Sequence, residues 1–268
     1  MRVVSLGDLA LDVVVRLSGD IARDADTPAR ITLSAGGQGA NVAAWAAALG
    51  ADARWLGKRG NDAAGRLAAE RLRSLGVELV GPVERDGSGV VVSLVDGHGE
   101  RSMFPDRGAA TRLRPDELRP EWLACDHLHV SGYALLARPV SDAAIRAVEL
   151  ARAAGARVSV DLSSWSAIRD NDPTAFRDLV ASLEPDVVFA NEDEDRVFGG
   201  ALPGVAWILK HGAHGCSFDG DERTALPVAV VADTTGAGDA LAAGWIVGGP
   251  DLALEAAARC VQRVGSMP

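Results

Sequence analysis

The stretch ADTTGAGDALAAGWI, Ala232 to Ile246, concentrates residue types that can do chemistry. Asp233, Thr234 and Thr235 form a polar approach. Gly236, Ala237 and Gly238 form a small-residue turn whose backbone N–H groups no bulky side chain shields. Asp239 then opens a run of Ala, Leu, Trp and Ile that reads as a buried helix. Such a turn at a helix start aims several N–H dipoles at one point, and that point attracts anions. A carboxylate is an odd neighbour if phosphate binding is the only task. It makes sense where a phosphoryl group must be held next to a base.

Four other clusters carry polar residues at the ends of apolar runs. AGGQGANVA (Ala35 to Ala43) lets backbone approach a ligand at Gly36, Gly37 and Gly39, with Asn41 in the first turn of the helix that follows. A glycine loop of this kind is equally often only a tight turn. GDLALD (Gly7 to Asp12) ends in a carboxylate suited to accept hydroxyl hydrogen bonds from a polyol, although Asp8 and Asp12 could both be solvated loop residues. NEDE (Asn191 to Glu194) reads either as acidic residues at a helix start or as an organiser of Mg²⁺ and phosphate. KHGAHG (Lys210 to Gly215) places Gly212 and Gly215 where a turn can lie under a nucleotide, with Lys210 in reach of phosphate; a plain hairpin turn is compatible with this.

The elements that must hold these clusters alternate. Strand-like runs at Val3 to Gly7, Ala53 to Gly57, His127 to Gly132, Ala156 to Leu162, Asp186 to Asn191 and Val205 to Lys210 are separated by helical runs such as Gly39 to Gly50, Asp62 to Gly76, Val140 to Ala154 and Pro173 to Leu183. This alternation predicts an α/β layered domain with a mainly parallel sheet, whose ligands sit at the carboxyl ends of the strands. Two stretches break the rhythm: strand-like pieces around the loop Ser18 to Pro28, and a second pair flanking Asp96-Gly97-His98-Gly99, a hairpin signal. They read as a small antiparallel sheet standing off the main body as a lid, or as ordinary surface hairpins.

The 268 residues suit one large domain. With 27 basic against 37 acidic residues the net charge is −10, and no basic run is dense enough for a nucleic-acid footprint. No apolar run is long enough to span a bilayer, and the N-terminus has no secretory pattern, so a cytoplasmic location is expected. Cys125, Cys216 and Cys260 are too far apart for a zinc motif and read as buried thiols.

In this order, AGGQGAN and DTTGAGDALAAGWI resemble the paired signatures of the ribokinase-like (PfkB) carbohydrate kinases. Secondary landmarks agree: GDxxxD at Gly7 to Asp12, GxxGxDxxG at Gly57 to Gly65, HVSGY at His129 to Tyr133, VDLS at Val160 to Ser163, and PDVVFANEDE at Pro185 to Glu194. The resemblance implies a three-layer α/β/α sandwich over residues 1–268, with lid segments at 11–34 and 88–106. It implies ATP-dependent transfer of a phosphoryl group to a hydroxymethyl group of a small sugar or sugar acid. Asp239 would be the base and Gly236, Ala237 and Gly238 the anion hole. Asp12, Gly37, Gly39 and Asn41 would meet sugar hydroxyls. Asn191 and Glu194 would act at the Mg²⁺–phosphate end, Glu194 indirectly. Lys210, Gly212 and Gly215 would lie along ATP, and Asp233 and Thr235 match a monovalent-cation position, K⁺ in some members. A homodimer through the lid is a further implication.

Ala10 stands where several ribose-using members carry a polar residue, which argues against ribose itself. The nucleotide loop begins Lys210-His211 where Thr is frequent, and the tail after Arg263 to Ser266 is shorter than usual, so an incomplete cation site and adenine pocket are expected. A helix start should also depress the Asp239 pKa, leaving an ionised acceptor that aims the hydroxyl. A nucleoside kinase of the same fold is the near alternative; with one Tyr and five Phe in the chain, the lid offers only Phe104 for stacking. A catalytically silent sugar- or nucleotide-binding protein is the alternative from another class.

Overall fold

The runs VVSL and VVFA carry apolar residues at consecutive positions, the pattern of strands covered on both faces. A computed structural model describes residues 1–85, 87–96 and 101–268, with residue 101 described by its backbone only. Strand β1 (Arg2–Leu6) leads to two outlying strands, β2 (Ala10–Leu17) and β3 (Ala29–Gly36). Then come α1 (Gln38–Ala48), β4 (Asp52–Leu56), β5 (Arg59–Gly60), α2 (Ala63–Ser74), β6 (Glu78–Val80) and β7 (Val83–Glu84). A second outlying pair, β8 (Gly89–Val95) and β9 (Arg101–Asp106), precedes β10 (His127–Ser131), α3 (Val140–Ala153) and β11 (Arg157–Asp161). The chain continues through α4 (Trp165–Asp170), α5 (Pro173–Ser182), β12 (Val187–Asn191), α6 (Glu192–Phe198) and β13 (Ala206–Lys210). It ends with β14 (Cys216–Phe218), β15 (Asp221–Arg223) and α7 (Ala237–Val261).

The main sheet has nine strands in the order β15-β14-β13-β12-β11-β10-β1-β4-β6. It is parallel from β13 to β6, and β14 and β15 add an antiparallel edge. Two apolar layers sandwich it. One joins Trp45, Trp55, Phe189, Leu241 and Leu254; the other joins Leu128, Val130, Ile168, Phe176 and Phe198. From β1 the chain winds towards β4, and from β10 it winds towards β11, so the winding reverses between these two neighbouring strands. The crevice outside the carboxyl ends at such a switch point is where doubly wound sheets take ligands.

Helix α7 starts at Gly236, whose φ of 80° is left-handed, and breaks at Gly248 and at Gly249, φ 80°, before Pro250 restarts it. Proline suits that restart, since a first-turn residue has no intrahelical use for an N–H. Among the described residues no helix is long and apolar enough to cross a membrane.

The outlying strands form a four-stranded sheet, order β3-β2-β8-β9. β2/β3 and β8/β9 are antiparallel hairpins, and β2 runs parallel to β8 where they join. The turn expected at Asp96 to Gly99 lies, from residue 97, outside the described residues; its flanking strands pair, Val95 opposite Arg101. The lid root is tied down by Asp62, which caps α2 at the Gly65 N–H and accepts the N–H groups of Gly87 and Ser88 from 3.1 and 3.0 Å. These donors hold the Asp62 carboxyl near pKa 2 despite the opposing effect of burial, the largest single influence.

Candidate active site

The carboxyl ends of β1, β10, β11, β12 and β13 and the start of α7 converge on one crevice. Asp239, in the first turn of α7, is gripped by Asn41 in the first turn of α1: Asn41 Nδ2 donates to Asp239 Oδ2 at 2.7 Å. Asn41 Oδ1 in turn accepts from Ser266 Oγ at 2.9 Å. Asn41 is 6% exposed; one N–H of its amide holds the expected base, and the second is left over for the sugar contact expected of it. Burial pushes the Asp239 pKa up to about 7, and the nearby Asp161 and Glu194 carboxylates push the same way against Asn41 and Lys210. The depression expected from the helix start is overturned: one helix dipole acts on the carboxylate, while desolvation and two like charges oppose it.

The turn before it adopts the expected shape, with one difference. Ala237 N–H is taken by Thr234 O at 3.3 Å. Among the described residues the N–H groups of Gly236, Gly238 and Asp239 have no partner within the chain. The free amides are thus two of the three expected, plus that of Asp239 itself. A Cβ on Gly236 would stand 2.6 Å from Ser266 O, so the C-terminal segment packs directly on the turn. Trp45 Nε1 holds that same carbonyl at 2.9 Å.

Lys210, the last residue of β13, reaches across to Asp161 at the end of β11, Nζ to Oδ2 2.8 Å. Its Nζ would be 3.4 Å from a Cβ on Gly238, which puts the ammonium beside the open amides. Burial works to lower the Lys210 pKa, yet Asp161, Glu194 and Asp239 together outweigh it and the net shift is upward. Asp161 is 1% exposed and also accepts the Ser163 N–H at 3.0 Å. Glu194 and Asn191 cap each other across the start of α6, Asn191 N to Glu194 Oε2 at 2.8 Å and Glu194 N to Asn191 Oδ1 at 2.9 Å. Glu194 is buried, and its pKa is raised by that burial, with Lys210 pulling the other way.

Between Lys210, Asn191 and Gly238 and an apolar wall of Leu226, Val228, Leu241, Leu254 and Val261 lies a slot of about 450 Å³. Gly212 and Gly215 line it from the β13–β14 hairpin. Gly215, φ 118°, admits no side chain, because a Cβ would sit 2.0 Å from Arg223 O. α7 and the segment before it supply the apolar wall of this slot. Asp233 and Thr235 are together, but largely with each other. Asp233 Oδ1 accepts Thr235 N at 2.9 Å and Oγ1 at 2.7 Å, and Oδ2 accepts Gly265 N at 3.3 Å.

The remaining expected contacts divide. Gly37, φ 94°, brings the loop onto Asp8 O, where a Cβ would be 2.5 Å away. Gly39 also packs closely: a Cβ would stand 2.6 Å from Gly7 Cα, so it lets α1 rest on the end of β1. Asp12 lies over Gly36, where a Cβ would be 2.1 Å from Asp12 Oδ2. Asp8 is no solvated loop carboxylate, since Arg107 holds both its oxygens, at 2.6 and 2.9 Å. Gln38 Oε1 accepts from the hydroxyls of Ser131 and Ser163. Gln38, Asp161 and Ser266 were legible only as members of motifs; nothing in their local sequence marks them as site residues.

Residues 1–267 match the model of the pfkB family carbohydrate kinases. The chain is 33% identical to the ATP-dependent ribose-1-phosphate kinase of Halopiger xanaduensis, over 97% of this chain and 90% of that one. It is 32% identical to fructokinase-1 of Zea mays, over 89% and 80%. Among solved structures it superposes on the adenosine kinase of Sinorhizobium meliloti with a TM-score of 0.86 at 23% identity, covering 100% of this chain and 95% of that one. A putative ribokinase II of E. coli, solved with ATP and Mg²⁺, gives 0.83 at 23% identity, over 99% and 94%. With a shared fold, a match from end to end and an acidic residue beside open helix-start amides, the chain belongs to the pfkB family of carbohydrate kinases.

Proposed function

We propose that this kinase moves the γ-phosphoryl group of ATP to a hydroxymethyl group of a small sugar, with Asp239 as the base. The observation that carries the assignment is the Asp239 carboxylate, fixed by Asn41, standing one residue from the open Gly238 amide that Lys210 flanks. ATP is assigned to the slot of about 450 Å³, whose apolar wall suits a planar base and whose inner end carries Lys210 and Asn191. Mg²⁺ fits the excess of carboxylates there: Asp161, Glu194 and Asp239 outnumber Lys210. Among the described residues no three metal-ligating side chains converge, so the ion would be held by phosphate oxygens and water, with Glu194 acting indirectly. Bound there, it would neutralise phosphate charge and let that charge spread in the transition state.

The chain's own residues then do the following. Asp12 and the Gly37 loop orient the acceptor. Asp239, with a pKa near 7, takes the hydroxyl proton as attack proceeds. The Gly236, Gly238 and Asp239 amides and Lys210 stabilise negative charge on the group in transit. Asn41 holds the base, and the lid excludes water. A K⁺ at Asp233 and Thr235 would brace the turn from behind. The buried, unpaired cysteines suit a cytoplasmic enzyme. A second copy, packed on the apolar outer strands of the lid, completes the reading.

A coupled assay of ATP consumption over a panel of sugars and nucleosides tests it. Asp239→Asn is expected to lower kcat by at least about 1,000-fold with a modest change in sugar KM. Near-normal turnover in that variant would refute the base; turnover with nucleosides alone would favour the nucleoside-kinase alternative.

A further inference from the structure

Arg107 is a cation in the crevice that the mechanism above leaves without a task. It directly follows β9, at the lid root, and its side chain is 20% exposed. A guanidinium can grip an oxyanion along two edges, Nε–Nη2 and Nη1–Nη2. The first edge is closed: Nε donates to Asp8 Oδ2 at 2.6 Å and Nη2 to Asp8 Oδ1 at 2.9 Å. The Tyr133 ring lies 5.5 Å from the guanidinium carbon and braces one face of its plane. Among the described residues no acceptor meets Nη1. The fork is therefore aimed by two partners and keeps its second edge open.

Its setting is the acceptor end of the crevice. The Asp8 carbonyl receives the Ala40 N–H at 3.2 Å and abuts Gly37, so Arg107 stands where the glycine loop, the lid root and Tyr133 meet. None of these residues lines the nucleotide slot. The other charged groups on the acceptor side are carboxylates, Asp12 and Asp239, which serve neutral hydroxyls. A pinned guanidinium is the arrangement that recognises a phosphate or carboxylate bidentately.

We propose that Arg107 is a specificity-determining residue that grips an oxyanion substituent of the sugar acceptor through its Nη1–Nη2 edge, a role that rests on the phosphotransfer reading of the same cleft. Asp8 and Tyr133 are its positioning residues.

The test compares ribose 1-phosphate, gluconate and fructose as acceptors, by kcat/KM and by calorimetric binding without ATP, in the wild type, Arg107→Gln and Arg107→Lys. The wild type is expected to prefer an anionic acceptor, and the anionic-to-neutral selectivity ratio should fall by about 30-fold in Arg107→Gln. Arg107→Lys should recover only part of it, because an ammonium lacks the planar fork. The arm that loses selectivity tells phosphate from carboxylate. Should Arg107→Gln not fold, Tyr133→Leu should lower the same ratio. An unchanged ratio, or a wild type that binds fructose alone, would overturn the role of Arg107 and leave Asp239 as the base. Arg107-dependent binding of ribose 1-phosphate with no turnover of any acceptor would uphold Arg107 and sink the phosphotransfer reading.

Discussion

Asp239 shows how much of a residue's chemistry is written beside it and how much is not. Its place after Gly-Ala-Gly at a helix start is a local fact, legible from fifteen consecutive residues. Its protonation is not local. The pKa of about 7 comes from burial and from Asp161 and Glu194, which arrive on β11 and α6, with Asn41 arriving on α1. The role of base proposed for Asp239 makes a prediction for rate: kcat/KM should rise with pH and level off above about 7, and Mg²⁺ should move that midpoint down by neutralising the neighbouring carboxylates. It also makes one for stability. A folded pKa raised from 3.8 means that the folded chain holds a proton the unfolded chain releases. The associated stability is complete below pH 3.8 and is lost as pH climbs to about 7. Asp239→Asn removes that loss, so its Tm should exceed the wild type's by about 5 °C at pH 8 and by less at pH 5. Scanning calorimetry at the two pH values checks this; a variant no more stable than the wild type at pH 8 would mean that the carboxylate is not strained by burial.

Strands β10 and β11 were readable as strands because HLHV and VSV are short runs in which Leu and Val recur at every second position, but the two histidines of β10 gave no hint of their fate. His127 and His129 point to the same face, and one hydroxyl serves both: Ser159 Oγ lies 2.8 Å from His127 Nε2 and 2.9 Å from His129 Nδ1. Both rings are essentially unexposed, and His129 packs edge-on to Phe189. Burial holds them neutral, with pKa values pushed down to about 3 for His127 and about 4 for His129. The unfolded chain protonates both near pH 6.5, so stability is full above that pH and falls as pH drops towards 4 and then 3. At pH 5 the loss should be about 2 kcal/mol for each imidazole. Urea midpoints at pH 7.5 and 5 measure it, and His127→Gln/His129→Gln should show a much smaller drop than the wild type; an equal drop would place the acid sensitivity elsewhere. The lid illustrates the opposite limit of the sequence. Its four strands were visible, yet the parallel join of β2 to β8 was not, because their pairing is set by the root that Asp62 and the Gly87–Ser88 amides fix, far along the chain from β2.

At the scale of the whole molecule, the alternation of strands and helices was enough to predict a layered α/β domain with a mainly parallel sheet, and the three-layer sandwich came from the family resemblance; the exposed apolar surface of the lid was in neither. Directly opposed residues in paired strands share a face. Leu33, Val13, Val92 and Phe104 therefore form one row across the lid, and Ile31, Val15 and Leu94 form the next. Neither row contains a charge as far as Ser102, which ends the second. Leu33, Ile31 and Phe104 are 58%, 60% and 58% exposed, so the face is presented to solvent and not to the main body. The second copy proposed above, packed on this face about a two-fold axis, would bury the same rows from both copies. Sedimentation at micromolar concentration is then expected to give a dimer for the wild type and a monomer for Leu33→Asp and Phe104→Asp. The calorimetric affinity for an ATP analogue should stay within about twofold in both variants, because the slot is walled by α7 and by the segment before it. A wild type that sediments as a monomer would show that the lid face has some other use.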